Sequence, residues 1–105
     1  MIKEIIDFIS VLEKRKEFFI RGSSYSDIVN FLTGYSLGLS KSLGYHLIKD
    51  EFSDWFKEKY NTTFNMPITD YLYNFQNKEK DEKKACEILF QLLTEFLNDK
   101  LKALL

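Results

Sequence analysis

What this chain has little of narrows its function before any motif is considered. It has one cysteine, Cys86, and no second thiol to pair with it, so neither a disulfide framework nor a cysteine zinc cluster can be built. A lone thiol suits a reducing compartment, and the expected location is cytoplasmic. His46 is the sole histidine; with Asp50 one turn later it offers two ligands, short of what a zinc site needs. Cys86 falls in an amphipathic helical pattern, with no turn to expose it as a nucleophile for His46 to activate. The four glycines, Gly22, Gly34, Gly38 and Gly44, stand in none of the spacings that cradle a phosphate. No run approaches 18 apolar residues, so no membrane span is expected. The opening MIKEIIDFISVLEK interleaves charged and apolar residues and lacks the unbroken apolar stretch of a secretory signal. Excess charge is missing too: 15 basic against 16 acidic residues leave a net charge of -1, too little positive field for a protein that binds nucleic acid directly. An enzyme is hard to assemble from this inventory, and no cofactor or metal is expected.

Large rings are plentiful by contrast, with ten Phe, six Tyr and one Trp in 105 residues. That is ample for one core, and the length points to a single domain over residues 1–105. Aromatics beyond the needs of a small core suggest a contact surface.

Helical periodicity runs through most of the chain. Ile2, Ile5, Ile6, Ile9 and Leu12 recur at steps of three and four, the mark of an amphipathic first helix that decays into Phe18, Phe19 and Ile20. Ser24 to Asp27 has the form of a capping box, with the hydroxyl and carboxylate each positioned to bond a backbone N–H. A second helix therefore starts at Ser24, buries Ile28, Phe31, Leu32, Tyr35 and Leu39, and stops at Gly44. Gly34 and Gly38 share one face of it and predict close approach by another segment, since each glycine costs a helix about 1 kcal/mol relative to alanine. Ile48, Phe52, Trp55, Phe56 and Tyr60 define a third helix over 47–60, with Asn61 closing it in a left-handed conformation. Pro67 is placed to open a short fourth helix carrying Ile68, Tyr71, Leu72 and Phe75. Asn77 to Lys84 reads as a solvated turn. From about Asp81 to the end, Ala85, Ile88, Leu89, Leu92, Phe96, Leu97, Leu101 and Leu104 keep helical register and predict a long C-terminal helix as the central packing element. No segment alternates as a strand does. The expected fold is an all-α, compact single-domain bundle of about five helices.

A candidate partner-binding surface lies between residues 50 and 82. From Asn61 to Asn77 Asp70 is the sole charged residue, and Tyr71, Tyr73 and Asn74 combine aromatic anchoring with adaptable hydrogen bonding. Acids flank this neutral centre: Asp50, Glu51, Asp54 and Glu58 before it, Glu79, Asp81 and Glu82 after it. Between 50 and 82 eight acids face four bases, so a neutral aromatic centre with an acidic rim would suit a basic partner. On this expectation, alanine at Tyr71 and Tyr73 weakens binding and leaves stability nearly unchanged. The alternative is that Phe64, Ile68, Leu72 and Phe75 simply close one end of the core.

Four stretches in order, Arg15 to Gly22, Asn30 to Tyr35, Trp55 to Asn61 and Ala85 to Leu97, give the chain a family likeness. It resembles small bacterial immunity proteins encoded beside contact-dependent growth inhibition and other polymorphic toxins. Their pattern runs from an amphipathic helix through Arg-Pro-Gly-Met-Tyr-aliphatic-Gly to a helix ending in Phe-aliphatic-x-Gly-Tyr, matched here by Phe31-Leu32-Thr33-Gly34-Tyr35. An aromatic segment closing in Glu-Lys-Tyr-Asn, here Glu58 to Asn61, then precedes an acidic, Phe- and Leu-rich last helix. Lys16-Glu17 replaces the usual Pro-Gly, which would let the first helix run on toward Phe18. The resemblance implies an antitoxin that performs no chemistry and blocks the active site of one cognate toxin domain, a basic nuclease, as a monomer. A helical interaction or regulatory module, homodimeric through the Gly34/Gly38 face, is the alternative.

Overall fold

The computed structural model describes every residue except Glu79. Five α-helices are found among the described residues and no strand. The first, α1, spans Ile2–Lys14 and buries Ile2, Ile5, Ile9 and Leu12 along one stripe. It does not run on toward Phe18. Arg15 leaves helical geometry at φ -132° and ψ 46°, and Lys16–Phe18 forms a separate 3-10 turn with no buried residue.

The helix α2, Tyr25–Leu43, is fixed at both ends by local chemistry. Asp27 N–H donates to Ser24 Oγ at 3.0 Å, and Ser24 N–H donates back to the Asp27 carboxylate at 3.3 Å, completing the capping box. Gly22 lies just upstream at φ +84°, and a Cβ there would collide with the Asp27 carboxylate. At the far end Gly44 takes the left-handed conformation and donates to Ser40 O at 2.8 Å. The expectation of close approach at Gly34 and Gly38 fails: a Cβ at either position would meet nothing within 4 Å. This face of α2 is open, and Leu37 between the two glycines is 60% exposed.

The third helical segment begins as a π-helical turn, Leu47–Glu51, and continues as α3, Phe52–Lys59. Asn61 is left-handed at φ 49°, and Thr62 N–H donates back to Lys57 O at 3.1 Å, which satisfies an otherwise orphaned carbonyl. Pro67 precedes α4, Ile68–Tyr71, a single turn that widens into a second π-helical turn, Leu72–Gln76. Asn77 is buried rather than part of a solvated turn; it is 1% exposed and its Nδ2 donates to Asp81 O at 3.0 Å.

The last helix, α5, runs over Glu82–Ala103, and the Asp81 carboxylate accepts from the Lys83 and Lys84 amides at its N-terminus. At 1.5 Å per residue its 22 residues reach about 33 Å. It buries Ala85, Cys86, Leu89, Phe90, Leu93, Phe96 and Leu97 and touches α1, α2 and α3, so it is the central element. Leu104 follows the helix end and is 70% exposed, outside the core predicted for it. A radius of gyration of 13.3 Å matches the roughly 13 Å of a compact domain of this length.

A second core layer forms where α1 meets α2. Phe8 packs at 4.6 Å from the Tyr35 ring, 6.3 Å from Phe31 and 5.5 Å from Phe19. The aromatic residues that set α2 against its neighbours therefore act as scaffold. They leave the other half of the molecule to carry a surface.

Candidate partner-binding surface

Along α3 the four-residue spacing of Asp54 and Glu58 puts both carboxylates on one exposed ridge, while Phe52 and Phe56 turn into the core. Trp55 stands between ridge and core, half-buried, with its ring 5.6 Å from Phe96 of α5 and 5.9 Å from Phe52. Its indole N–H donates to Asp99 Oδ2 at 2.9 Å. Lys59 lies over the Trp55 ring and reaches across to α5, bonding Asp99 at 2.7 Å and Glu95 at 2.9 Å. Tyr60 hydroxyl adds a bond to Glu95 at 2.9 Å.

These contacts bias the titration of three of the groups. Hydrogen bonds from Lys59, then from Trp55, hold the Asp99 carboxyl below its ordinary value. The same bonds to Asp99 and Glu95 push the Lys59 ammonium up. Desolvation, followed by the bond to Glu95, raises the Tyr60 phenol. Lys59 thus lies between the Glu95 and Asp99 side chains. Lys100, the residue after Asp99, pairs with Glu51 at 3.3 Å. Asp50, Asp54 and Glu58 form no ion pair among the described residues. Glu51, Asp54, Trp55, Glu58, Asp99 and Lys100 line a shallow groove of about 270 Å³.

Tyr60 joins this acidic groove to an aromatic one. Its ring meets Trp55 edge-on at 6.1 Å and lies 4.8 Å from Phe56. Beyond it Phe56, Tyr60, Asn61, Thr62, Tyr71, Gln76 and Leu92 line a groove of about 390 Å³ with no charged residue among them. Tyr71 stacks on Phe64 at 4.2 Å and on Phe75 at 5.4 Å. Phe75 is 56% and Tyr60 45% exposed. The groove lining is uncharged, as at an interface centre, although Lys57 lies over Phe64 and Tyr60 bonds Glu95 at its edge.

The structure distributes the residues expected from the sequence over more than one place. Glu51, Asp54 and Glu58 gather on the acidic groove and Tyr71 on the aromatic one, with exposed Asp50 on the π turn before α3. Asp70, Tyr73, Asn74 and Glu82 line a different groove, against Tyr25, Ser26, Val29 and Asn30 of α2. Asp81 caps α5. Glu79 lies outside the described residues. The rings of Tyr71 and Tyr73 are half-buried, Tyr73 against Tyr25 at 5.1 Å, so their removal disturbs the fold as well as any contact. Tyr60, Phe75, Glu95 and Asp99 lie in or beside these grooves and are not among the residues expected from the sequence. The signal for the acids was present in the shared four-residue spacing of Trp55/Lys59 and Glu95/Asp99, which only the packing of α3 on α5 brings together.

Compared with family models, with curated proteins and with solved structures, the chain matches none. Function therefore has to be argued from its own chemistry. Cys86 is buried and its thiol is pushed up by burial, which keeps it protonated. Ser36 bonds the His46 ring at 3.0 Å, but it is fully buried and accepts from Ile48 N–H at 3.0 Å; the pair supports backbone and offers no accessible nucleophile. Among the described residues no group of three or more His, Cys, Asp or Glu is placed to hold a metal ion, and no helix is long and apolar enough to cross a membrane.

Proposed function

We propose that this chain is an immunity protein that binds one cognate toxin domain, a nuclease such as an RNase, and neutralises it by covering its active site. The observation that carries this reading is the edge-on contact of Tyr60, which lines the uncharged aromatic groove, with Trp55, which lines the acidic α3/α5 groove. The acids would speed encounter with the basic cleft of a nuclease, and the rings would slow release. Asp54 and Glu58 are the acids free to meet incoming cations. Tyr60 and Phe75 are the rings already in solvent and so lose the least on being covered. The overall charge of -1 means that charge mimicry is supplemented by shape and apolar burial. The order of sequence segments shared with immunity proteins supports the same reading.

The open Gly34/Leu37/Gly38 face favours the second reading, a helical module that pairs with its own copy. One experiment separates the two. A toxin domain encoded next to this chain should arrest cell growth when expressed alone and spare the cells when co-expressed with it. Failure to protect, together with concentration-dependent dimerisation, would replace the first reading with the second.

A further inference from the structure

A cleft of about 350 Å³ opens between α2, the π turn before α3, and the Pro67–Asp70 segment, away from the acidic and aromatic grooves just described. That volume falls within the roughly 300–1,000 Å³ of small-molecule sites. Val29, Ile48, Pro67 and Ile68 make its wall apolar, and His46, Lys49 and Asp70 bring polar groups to it.

The tautomer of the neutral His46 ring follows from its hydrogen bonds. Lys49 N–H donates to Nδ1 at 3.3 Å, and an amide can only donate, so Nδ1 must keep its lone pair. Ser36 Oγ already accepts from Ile48 N–H, which leaves its own hydrogen to share with Nδ1 at 3.0 Å. The neutral imidazole therefore carries its proton on Nε2, and that N–H has no partner among the described residues. Lys49 and Asp70 line the same cleft with opposite charges, yet they form no ion pair with each other or with any other described residue.

We propose that this cleft binds a free α-amino acid with an apolar side chain. The ligand carboxylate accepts from Lys49 and from His46 Nε2–H, its ammonium donates to Asp70, and its side chain lies on Val29, Ile48 and Ile68. Both charges are hydrated in the free protein, and a zwitterion is the ligand whose own two charges complement them together. This site does not depend on the immunity reading.

L-phenylalanine and L-leucine are the probes, titrated by calorimetry and followed in amide-resolved NMR spectra of the whole chain. Saturable binding is expected, with shifts concentrated at Thr33, Ile48, Lys49 and Ile68 to Asp70. Two analogues that keep the ring and one charge each, 3-phenylpropanoate and 2-phenylethylamine, should bind at least about tenfold more weakly. The same loss is expected for Lys49→Ala and Asp70→Ala, whose exposed side chains can be removed without opening the core. No saturation up to about 10 mM, equal binding of either analogue, or undiminished binding by both variants would each overturn the proposal.

Discussion

The Lys59 ammonium sits 2.7 Å from Asp99 Oδ2 and 2.9 Å from Glu95 Oε1, so a single cation ties α3 to α5 and screens two of the carboxylates beside the acidic groove. Lys59→Met removes that screening. The variant should associate with a basic partner a few-fold faster at low salt, with the difference fading as ionic strength rises. Stopped-flow association at two salt concentrations measures it; an unchanged rate would mean that this face does not steer the encounter.

Asp99 also predicts how stability depends on pH. Its folded carboxyl is held below the ordinary value of 3.8, first by Lys59 and then by Trp55. A depressed value adds stability that is complete above the unfolded pKa and lost as pH falls through the folded one. Thermal unfolding of the wild type should therefore weaken below about pH 4, and Asp99→Asn should flatten that part of the curve. Lys59 works in the opposite sense. Its value is raised above 10.5, so its contribution is intact below that pH and declines above it.

Gly22 and Gly34 should respond to alanine with opposite signs. At Gly22 a side chain meets both a φ of +84° and the Asp27 carboxylate that completes the α2 cap, so Gly22→Ala should cost about 1–3 kcal/mol. Gly34 is helical with open space around it, and Gly34→Ala should stabilise by up to about 1 kcal/mol. Urea midpoints for the two variants decide the matter.

Ser36 is fully buried, and its Oγ accepts the Ile48 N–H at the start of the π turn. Ser36→Ala strands that amide and removes a donor to His46, at an expected cost of about 1–3 kcal/mol. Hydrogen exchange should show the Ile48 and Lys49 amides losing protection before those of α5.

Phe75 and Tyr71 separate contact from core within one aromatic stack. Phe75 is largely in solvent, so Phe75→Ala should shift stability by no more than about 0.5 kcal/mol while weakening binding of the proposed partner about tenfold or more. Tyr71→Ala leaves a hole beside Phe56 and Phe64 and should lower the melting temperature clearly. Paired calorimetry and thermal unfolding test both, and retained affinity in Phe75→Ala would remove the aromatic groove from the interface.

How far the sequence could be followed depended on the range of the interactions involved. The borders of α2 were legible because Ser24, Asp27 and Gly44 act within a few residues of themselves. The same holds for Asn61 after α3. The two π turns were not legible, since an i→i+5 bond draws on the same residue types as an i→i+4 bond and shifts the apolar stripe by only one position. Burial of Asn77 was hidden for a different reason. A polar residue in a charged stretch looks solvated until the packing that covers it is known. For the surface, a window of sequence from 50 to 82 held the α3 acids and the aromatic stack but could not contain Glu95 and Asp99, which arrive from α5. It also grouped Asp70, Tyr73, Asn74 and Glu82 with residues that face elsewhere.

The two π turns have a further consequence. Each accommodates one residue more than an α-turn of the same span, Leu47–Glu51 ahead of α3 and Leu72–Gln76 behind α4. Deleting one residue from the first turn would restore α-helical bonding there and disturb the Ile48 N–H bond that Ser36 accepts. It would also turn α3 by about 100°, one residue's rotation around a helix, and carry Phe52 and Phe56 out of the core. The extra residue of the π turn therefore sets the phase of α3, which keeps those two rings inside and leaves Asp54 and Glu58 in solvent.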